Sequence, residues 1–367
     1  MKTKARHHIG ISGSYGGLNL GDEAILTAMI RQIRTSLPAE ITVFSRDSQD
    51  TLQRHKVEHA VDVRNLTRAE VRRSIADLDL FILGGGGLLF DAEVEIFLRE
   101  VFLAHELHIP VMIYAISAGP LLRAASRKLV CDALNQAALI TVRDRLGRQL
   151  LEDIGVTQTI HVTADPALLL EPESLPNSGN IEGIDLNARL VGFSIREPGP
   201  AAPEMDVDHY HLLIANAADF MVHRLDVEII FIPMERKMMD MQHSHAVVSR
   251  MRSAQRATVL KGDYSPGQIL SLMQHFDFAV GMRLHFLIFA AHAGVPFVPL
   301  PYADKVSGFI EDLDFPMPPL DHVSAGHLIA RIDWAWDNRS KIHDHILSKL
   351  PEVRNRSLQT TNCSCSC

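Results

Sequence analysis

Residues 277–298 read DFAVGMRLHFLIFAAHAGVPFV, and this stretch decides the fold. An apolar run ends at Gly281. Leu284, Leu287, Ile288 and Ala291 then recur at helical spacing, Gly294 stops the pattern, and a second apolar run follows. Strand, glycine turn, helix, glycine stop and strand together make one unit of a parallel sheet. Arg283 and His285 fall where the helix begins. A cation is unfavourable at the positive end of a helix dipole unless something negative lies beside it. The segment therefore predicts an anion site at Arg283, with Gly281 leaving the backbone bare next to it.

The same alternation runs outward along the chain. In the first half it predicts strands at about 8–12, 41–45, 80–83, 111–116, 139–142 and 161–164, with helices at about 22–36, 93–107, 126–136 and 145–154. In the second half it predicts strands at about 190–195, 228–233, 258–261, 278–281 and 297–300, with helices at about 207–224, 239–251, 266–275 and 284–293. The polar, turn-rich stretch EPESLPNSGN at 171–180 reads as a linker. The expected organisation is α/β: an N-terminal Rossmann-like domain at 1–175, a C-terminal one at 186–322, a helix over 323–350 crossing back, and a disordered cysteine-containing tail at 351–367. Two doubly wound domains imply a GT-B-like layout with ligands in an interdomain cleft, beyond the carboxyl ends of the strands.

Composition narrows the function. With 36 Lys and Arg against 44 Asp and Glu, the chain has a net charge of −8, which argues against a nucleic-acid partner. No apolar run is long enough for a transmembrane segment, and none at the start has signal-peptide length, so a cytoplasmic protein is expected. Four cysteines, three of them in the terminal CSCSC, imply no disulfide framework, and no His and Cys spacing suggests a metal site.

Five further motifs supply candidate residues. GISGSYGGLNLGDEAIL at 10–26 is a strand, glycine-rich turn and helix start, with Gly16, Gly17 and Asn19 lining the loop and Asp22 either lining it or capping the helix. Its glycine spacing is not the dinucleotide fingerprint, it has no Lys-Ser/Thr of a P-loop, and no acidic residue closes the second strand. LFILGGGGLLFD at 80–91 follows a buried strand with more glycine than one turn needs, which exposes backbone at Gly85, Gly86 and Gly87 with Asp91 at the rim. VTADPA at 162–167 presents Asp165 before a proline. GFSIRE at 192–197 ends a strand at Arg196, whose planar fork suits a carboxylate or phosphate. PYADKVSGF at 301–309 brings Lys305 after the next strand.

Taken in order over about residues 9–313, GGLNLGDEAIL, GGGGLLFD, GMRLHFLIFAA and DKVSGF resemble the polysaccharide pyruvyltransferase family. The resemblance implies ketal-pyruvyl transfer from phosphoenolpyruvate, a co-substrate rather than a cofactor, to a hexose or N-acetylhexosamine of a cell-surface polymer or of its lipid- or nucleotide-linked precursor. It implies an acceptor side in the first domain and a donor side in the second, where Arg283 and His285 match the family's phosphoenolpyruvate contacts and Arg196 its strand-end arginine. Histidine moves protons near neutral pH, so His285 is the candidate acid/base, with Asp22 or Asp165 to activate the acceptor. A nucleotide-sugar glycosyltransferase of the same fold and a non-catalytic glycan binder are the competing readings, and a homo-oligomer is left open. If the donor reading holds, phosphoenolpyruvate raises the melting temperature of the protein in a thermal-shift titration, by mass action on the native state. NAD and ATP leave it unchanged, and saturable micromolar NAD binding would overturn the reading.

Overall fold

The computed structural model of the chain describes residues 6–17, 19–176, 181–197, 206–235, 239–300, 304–317 and 324–364, and the side chains at 304, 305, 325 and 362–364 also fall outside that description. The chain divides into two units. The first comprises Met1–Leu18, Asp22–Leu170 and Arg354–Cys367, and the second Asn19–Gly21 and Glu171–Val353.

The first unit alternates β1 (His7–Ser12), α1 (Leu20–Ser36), β2 (Ala39–Ser45), α2 (Ser48–Arg54), β3 (His59–Asp62), α3 (Arg68–Ile75), β4 (Leu80–Leu89), α4 (Val94–Glu106), β5 (Val111–Ala118), α5 (Ala124–Leu134), β6 (Leu139–Val142), α6 (Arg145–Asp153) and β7 (Ile160–Val162). All seven strands are parallel, in the order β3-β2-β1-β4-β5-β6-β7. The central strands β4 and β5 are buried along most of their length and carry near-continuous runs of apolar residues and glycine, whereas the outer β3 and β7 carry His59, Asp62 and His161. Phe44 on β2 meets Phe81 on β4 edge-on at 5.6 Å, and both are fully buried.

The second unit repeats the plan with β8 (Leu190–Ser194), α7 (Val207–Leu225), β9 (Glu228–Phe231), α8 (Asp240–Val248), β10 (Ala257–Val259), α9 (Pro266–Met273), β11 (Phe276–Gly281), α10 (Leu284–His292) and β12 (Phe297–Pro299). The strands are again parallel, in the order β10-β9-β8-β11-β12. Then follow α11 (Asp304–Asp312), α12 (Ala325–Asp337) and α13 (Arg339–Ser364). In each sheet the strand order reverses between two neighbours, β1 and β4 in one and β8 and β11 in the other. Ligands of open α/β sheets bind at the carboxyl ends of such strands.

Several expectations need correction. The span 46–79, read without elements, contains α2, β3 and α3. Of α3 only Val71 and Ile75 are buried, too few to mark a period, although Thr67 and Glu70 form the capping box that starts it. The four glycines do not follow β4 but lie within it: the strand continues to Leu89, paired with β5 through an irregularity between Gly87 and Leu89. Gly85 and Gly86 have φ of 58° and 91°, a backbone that side chains resist. The first residues of the supposed linker are docked on the second unit, while 177–180 lie outside the described residues. Glu173 takes hydrogen bonds from Ser265 Oγ (2.5 Å) on its carboxylate and Ser271 Oγ (2.6 Å) on its carbonyl, and donates its own amide to Gly267.

The end of the chain differs most. In place of one helix and a disordered tail there are two helices, and α13 runs on through Pro351 to Ser364, with Cys365 and Cys367 beyond the described residues. Its last turns bury Ser357, Thr360 and Thr361, hydroxyl residues that gave no apolar period to read. Ser357 Oγ donates to the Asp165 carbonyl at 3.0 Å, and Thr361 Oγ1 lies 3.0 Å from the Tyr114 hydroxyl, both within the first unit.

The bare backbone of β4 can be tested directly. A β-carbon at Gly85 would lie 2.0 Å from Ile25 Cγ2 in addition to the positive φ. Gly85→Ala is expected to lower the stability of the protein by about 2–4 kcal/mol in urea denaturation, combining backbone strain with overpacking. A loss below about 1 kcal/mol would show that β4 can relax there.

Candidate active site

In the first unit the chemistry gathers where β1, β4, β6 and β7 end. Tyr15 is fully buried and its hydroxyl donates to the Gly84 carbonyl at 2.6 Å, tying the first glycine loop to the second. Burial, followed by the charges of Asp22 and Glu23, pushes its pKa well up, so the phenol stays neutral. Glu23 accepts the Gly16 amide at 3.0 Å with one carboxylate oxygen and meets His55 Nε2 at 2.6 Å with the other, and both side chains are buried. It is a brace behind the loop. Gly17 stands close to the Arg46 guanidinium, which pairs with Glu93 at 3.2 Å.

Asp22 and Gly86 come together. A β-carbon on Gly86 would be 3.3 Å from Asp22 Oδ1, so the missing side chain lets this stretch of backbone lie close to the carboxylate. The helix cap is Asn19 rather than Asp22, since Asn19 Oδ1 accepts the Gly21 amide at 2.9 Å. Gly87 is exposed, with Arg143 nearby: a β-carbon there would be 3.9 Å from the guanidinium. Arg143, which the sequence did not single out, donates to Asp165 Oδ2 at 2.7 Å, and both are buried. Asp165 Oδ1 accepts the Ala167 amide at 2.9 Å, so this carboxylate orients Arg143 and caps a turn. Asp91 accepts the amides of Leu122 (2.7 Å) and Arg123 (3.2 Å), which ties it to the start of α5 rather than to the glycines.

In the second unit the site forms at the ends of β8 and β11. Gly281 is a packing position, where a β-carbon would be 2.4 Å from the Phe286 ring. Arg283 follows in an extended conformation, φ −75° and ψ 125°, as the cap of α10, and Leu284 turns into the core. The negative partners demanded by an arginine at this place are the protein's own. Arg283 grips Asp240 through Nε (3.0 Å) and a second guanidinium nitrogen, and reaches Glu235 Oε2 through the third at 3.2 Å. Asp240 is fully buried and also accepts the amides of Met234 (3.2 Å) and Glu235 (3.1 Å). Burial pushes its pKa up, against the pull of Arg283.

Arg196, at the end of β8, is 8% exposed and donates to Glu197 at 3.0 Å. Burial and then the like charge of Arg283 push its pKa down. His285 packs on the Asn19–Gly21 segment, which the second unit claims: a β-carbon on Gly21 would be 1.9 Å from the imidazole Nδ1. That segment is pinned by Leu20 N to the Met234 carbonyl at 2.8 Å and by Asn19 Nδ2 to Glu235 Oε2 at 3.3 Å. Arg283 and His285 thus meet the same short segment, one through Glu235 and the other through Gly21. The Lys305 side chain lies outside the described residues.

Two histidines were missed. His211 on α7 and His243 on α8 are hydrogen-bonded, Nε2 to Nδ1, at 2.8 Å, and burial lowers the pKa of each. Nothing in their helical spacing separates them from ordinary core positions; their partnership is tertiary.

A family model described as polysaccharide pyruvyl transferase matches residues 19–304, most of the chain. The amylovoran biosynthesis protein AmsJ of Erwinia amylovora is 19% identical over 259 residues, a match covering 67% of this chain and 62% of AmsJ, so the chain spans less than two thirds of that relative. Among solved structures, the UDP-GlcNAc 2-epimerase of Neisseria meningitidis bound to UDP-GlcNAc superposes with a TM-score of 0.66 at 11% identity, covering 99% of this chain and 100% of the other. The UDP-GlcNAc 2-epimerase of Methanocaldococcus jannaschii gives 0.59 at 13% identity, covering 89% and 92%. At such identities the likeness bears on fold alone, and the fold is GT-B-like, built from parallel-sheet α/β units. The arginine, histidine and glycine segments described above, apart from the first residues of the glycine loop, fall inside the family match, and the chain belongs to the polysaccharide pyruvyl transferase family.

Proposed function

We propose that this protein transfers a pyruvyl group, as a ketal, from phosphoenolpyruvate to two hydroxyls of a hexose or N-acetylhexosamine in a cell-surface polysaccharide or its lipid- or nucleotide-linked precursor, and releases phosphate. The observation that carries this reading is that Arg196 and Arg283 each follow the end of one of the two neighbouring strands at the β8–β11 switch point, with His285 two residues further on, in a chain of this family. A donor with a carboxylate and a phosphate needs cations with planar, paired donors, and arginine supplies them. Ser194 Oγ, buried at the end of β8 without a hydrogen-bond partner among the described residues, adds a donor at the same strand end.

The chemistry follows from the donor. His285 delivers a proton to the methylene carbon, which becomes a methyl group and leaves an oxocarbenium-like centre at the adjacent carbon. One sugar hydroxyl adds there and loses its proton. Phosphate departs with the C–O bond electrons, and the second hydroxyl adds and loses its proton to close the ketal. Asp22, held against the bare backbone of Gly86, is the residue placed to accept a proton from the acceptor, whereas Asp165 acts through Arg143. Among the described residues no helix is long and apolar enough to cross a membrane, and a cytoplasmic location suits a donor made in central metabolism.

Two substitutions separate binding from chemistry. His285→Gln is expected to lower single-turnover phosphate release by about a hundredfold or more while changing phosphoenolpyruvate affinity less than about threefold. Arg283→Lys keeps the charge opposite Asp240 but loses the fork, and is expected to weaken phosphoenolpyruvate binding by about tenfold in calorimetry. Near-normal turnover in the first variant and near-normal binding in the second would remove the basis of the assignment. Release of a nucleoside diphosphate from a nucleotide sugar, in place of phosphate from phosphoenolpyruvate, would replace it with glycosyl transfer.

A further inference from the structure

The ion pairs around Arg283 are of two kinds. Asp240 has 0% side-chain exposure, binds the inner edge of the guanidinium and is itself fixed by two backbone amides. Glu235 retains 17% side-chain exposure, meets Arg283 through its outer nitrogen at 3.2 Å, and accepts Asn19 Nδ2 on the same oxygen, Oε2, at 3.3 Å. One carboxylate is built in, and the other sits at the rim. Charge makes the distinction matter. Among the described residues, the ion pairs joining Arg283 and Arg196 set two guanidiniums against three carboxylates, those of Asp240, Glu235 and Glu197. The outer edge of Arg283, with donors in a fork suited to a phosphate-bearing carboxylate, is where Glu235 now lies, so the two acids compete for one place.

We propose that Glu235 is a displaceable carboxylate that stands in for an anionic group of the donor at the outer edge of Arg283, and that its departure also releases Asn19, so that donor binding is coupled to the Asn19–Gly21 segment and the histidine packed on it. Asp240 is the positioning residue that keeps Arg283 in place while the exchange occurs. Glu235 has the reach for this role because its backbone already pairs with Asn19 in an antiparallel bridge, so only the side chain needs to turn. The identity of the anion as phosphoenolpyruvate rests on the function proposed above; the exchange itself does not.

The test is calorimetry of the full chain and of Glu235→Ala and Glu235→Gln with phosphoenolpyruvate and with inorganic phosphate, alongside amide hydrogen exchange of the peptide containing Asn19–Gly21. Both variants are expected to bind phosphoenolpyruvate about three- to tenfold more tightly than the native chain, since a partly exposed ion pair no longer competes. Phosphoenolpyruvate should speed exchange at Asn19–Gly21 in the native chain, and that faster exchange should be present in the variants before any donor is added. Unchanged or weaker anion affinity in variants with native melting temperatures would overturn the proposal and make Glu235 a support of Arg283. If the native chain ignores phosphoenolpyruvate but the variants gain affinity for inorganic phosphate, the donor assignment falls and the exchange stands. If no chain binds either anion, both fall.

Discussion

The buried pair between Arg283 and Asp240 is the contact on which the second unit's site depends. Asp240 opens α8, Arg283 caps α10, and the same carboxylate receives the amides of Met234 and Glu235 just beyond β9. One charge therefore fixes the start of two helices and the loop between a strand and a helix. Met234 and Glu235 in turn hold Leu20 and Asn19, so a segment more than two hundred residues away is anchored through the same carboxylate. Taking two charges out of water is costly, and a pair this enclosed survives because both oxygens of Asp240 are hydrogen-bonded, Oδ1 to the guanidinium and Oδ2 to the guanidinium and two amides. Removing either partner would leave a buried charge alone, which costs roughly 3–5 kcal/mol in comparable cases.

The first unit solves a different problem with similar means. Its candidate site is lined largely by glycine backbone, and bare backbone has little to hold it in shape. Buried polar groups do that work from behind: Tyr15 on Gly84, Glu23 on Gly16, and Arg143 beside Gly87 with Asp165 holding it. None of these groups needs to touch a substrate to matter. They fix where the glycines lie, and the absent β-carbon of Gly86 leaves room for Asp22 beside it.

Most of the fold was legible because a buried parallel sheet writes itself as short apolar runs. β6 was read to the residue, and α10 to within one, since Gly281 and Gly294 bracket it. Where burial is carried by few or polar side chains the signal fails: α3 buries only Val71 and Ile75 of its length, and the end of α13 docks through Ser357, Thr360 and Thr361. The linker misled for a related reason. A polar segment looks the same in sequence whether water or a neighbouring helix satisfies it, and Glu173 is satisfied by α9. Of the proposed site residues, Arg196, Arg283 and Asp22 stand out in the sequence by their places after strands and glycines. Asp240, Arg143, Glu235 and the His211–His243 pair do not, because what marks them is a partner distant in sequence.

The first glycine motif shows how far a local reading can go. As sequence, GGLNLGDE is one loop leading into one helix. In the structure its residues are divided: Asn19–Gly21 pack with the second unit, while Asp22 and Glu23 belong to the first. Gly21 has to be glycine because His285 occupies the volume of a β-carbon, and Asn19 has to carry an amide because its two ends do different tasks, one accepting the Gly21 amide and the other donating to Glu235. Two residues later Glu23 faces the opposite way, towards Gly16 and His55. Helical geometry permits this, since residues two apart along α1, such as Gly21 and Glu23, do not share a face. A motif that looks like a single ligand loop is thus better understood as a short helix start whose successive residues serve two separate cores, and that dual service constrains its glycines and amide as strongly as any bound molecule would.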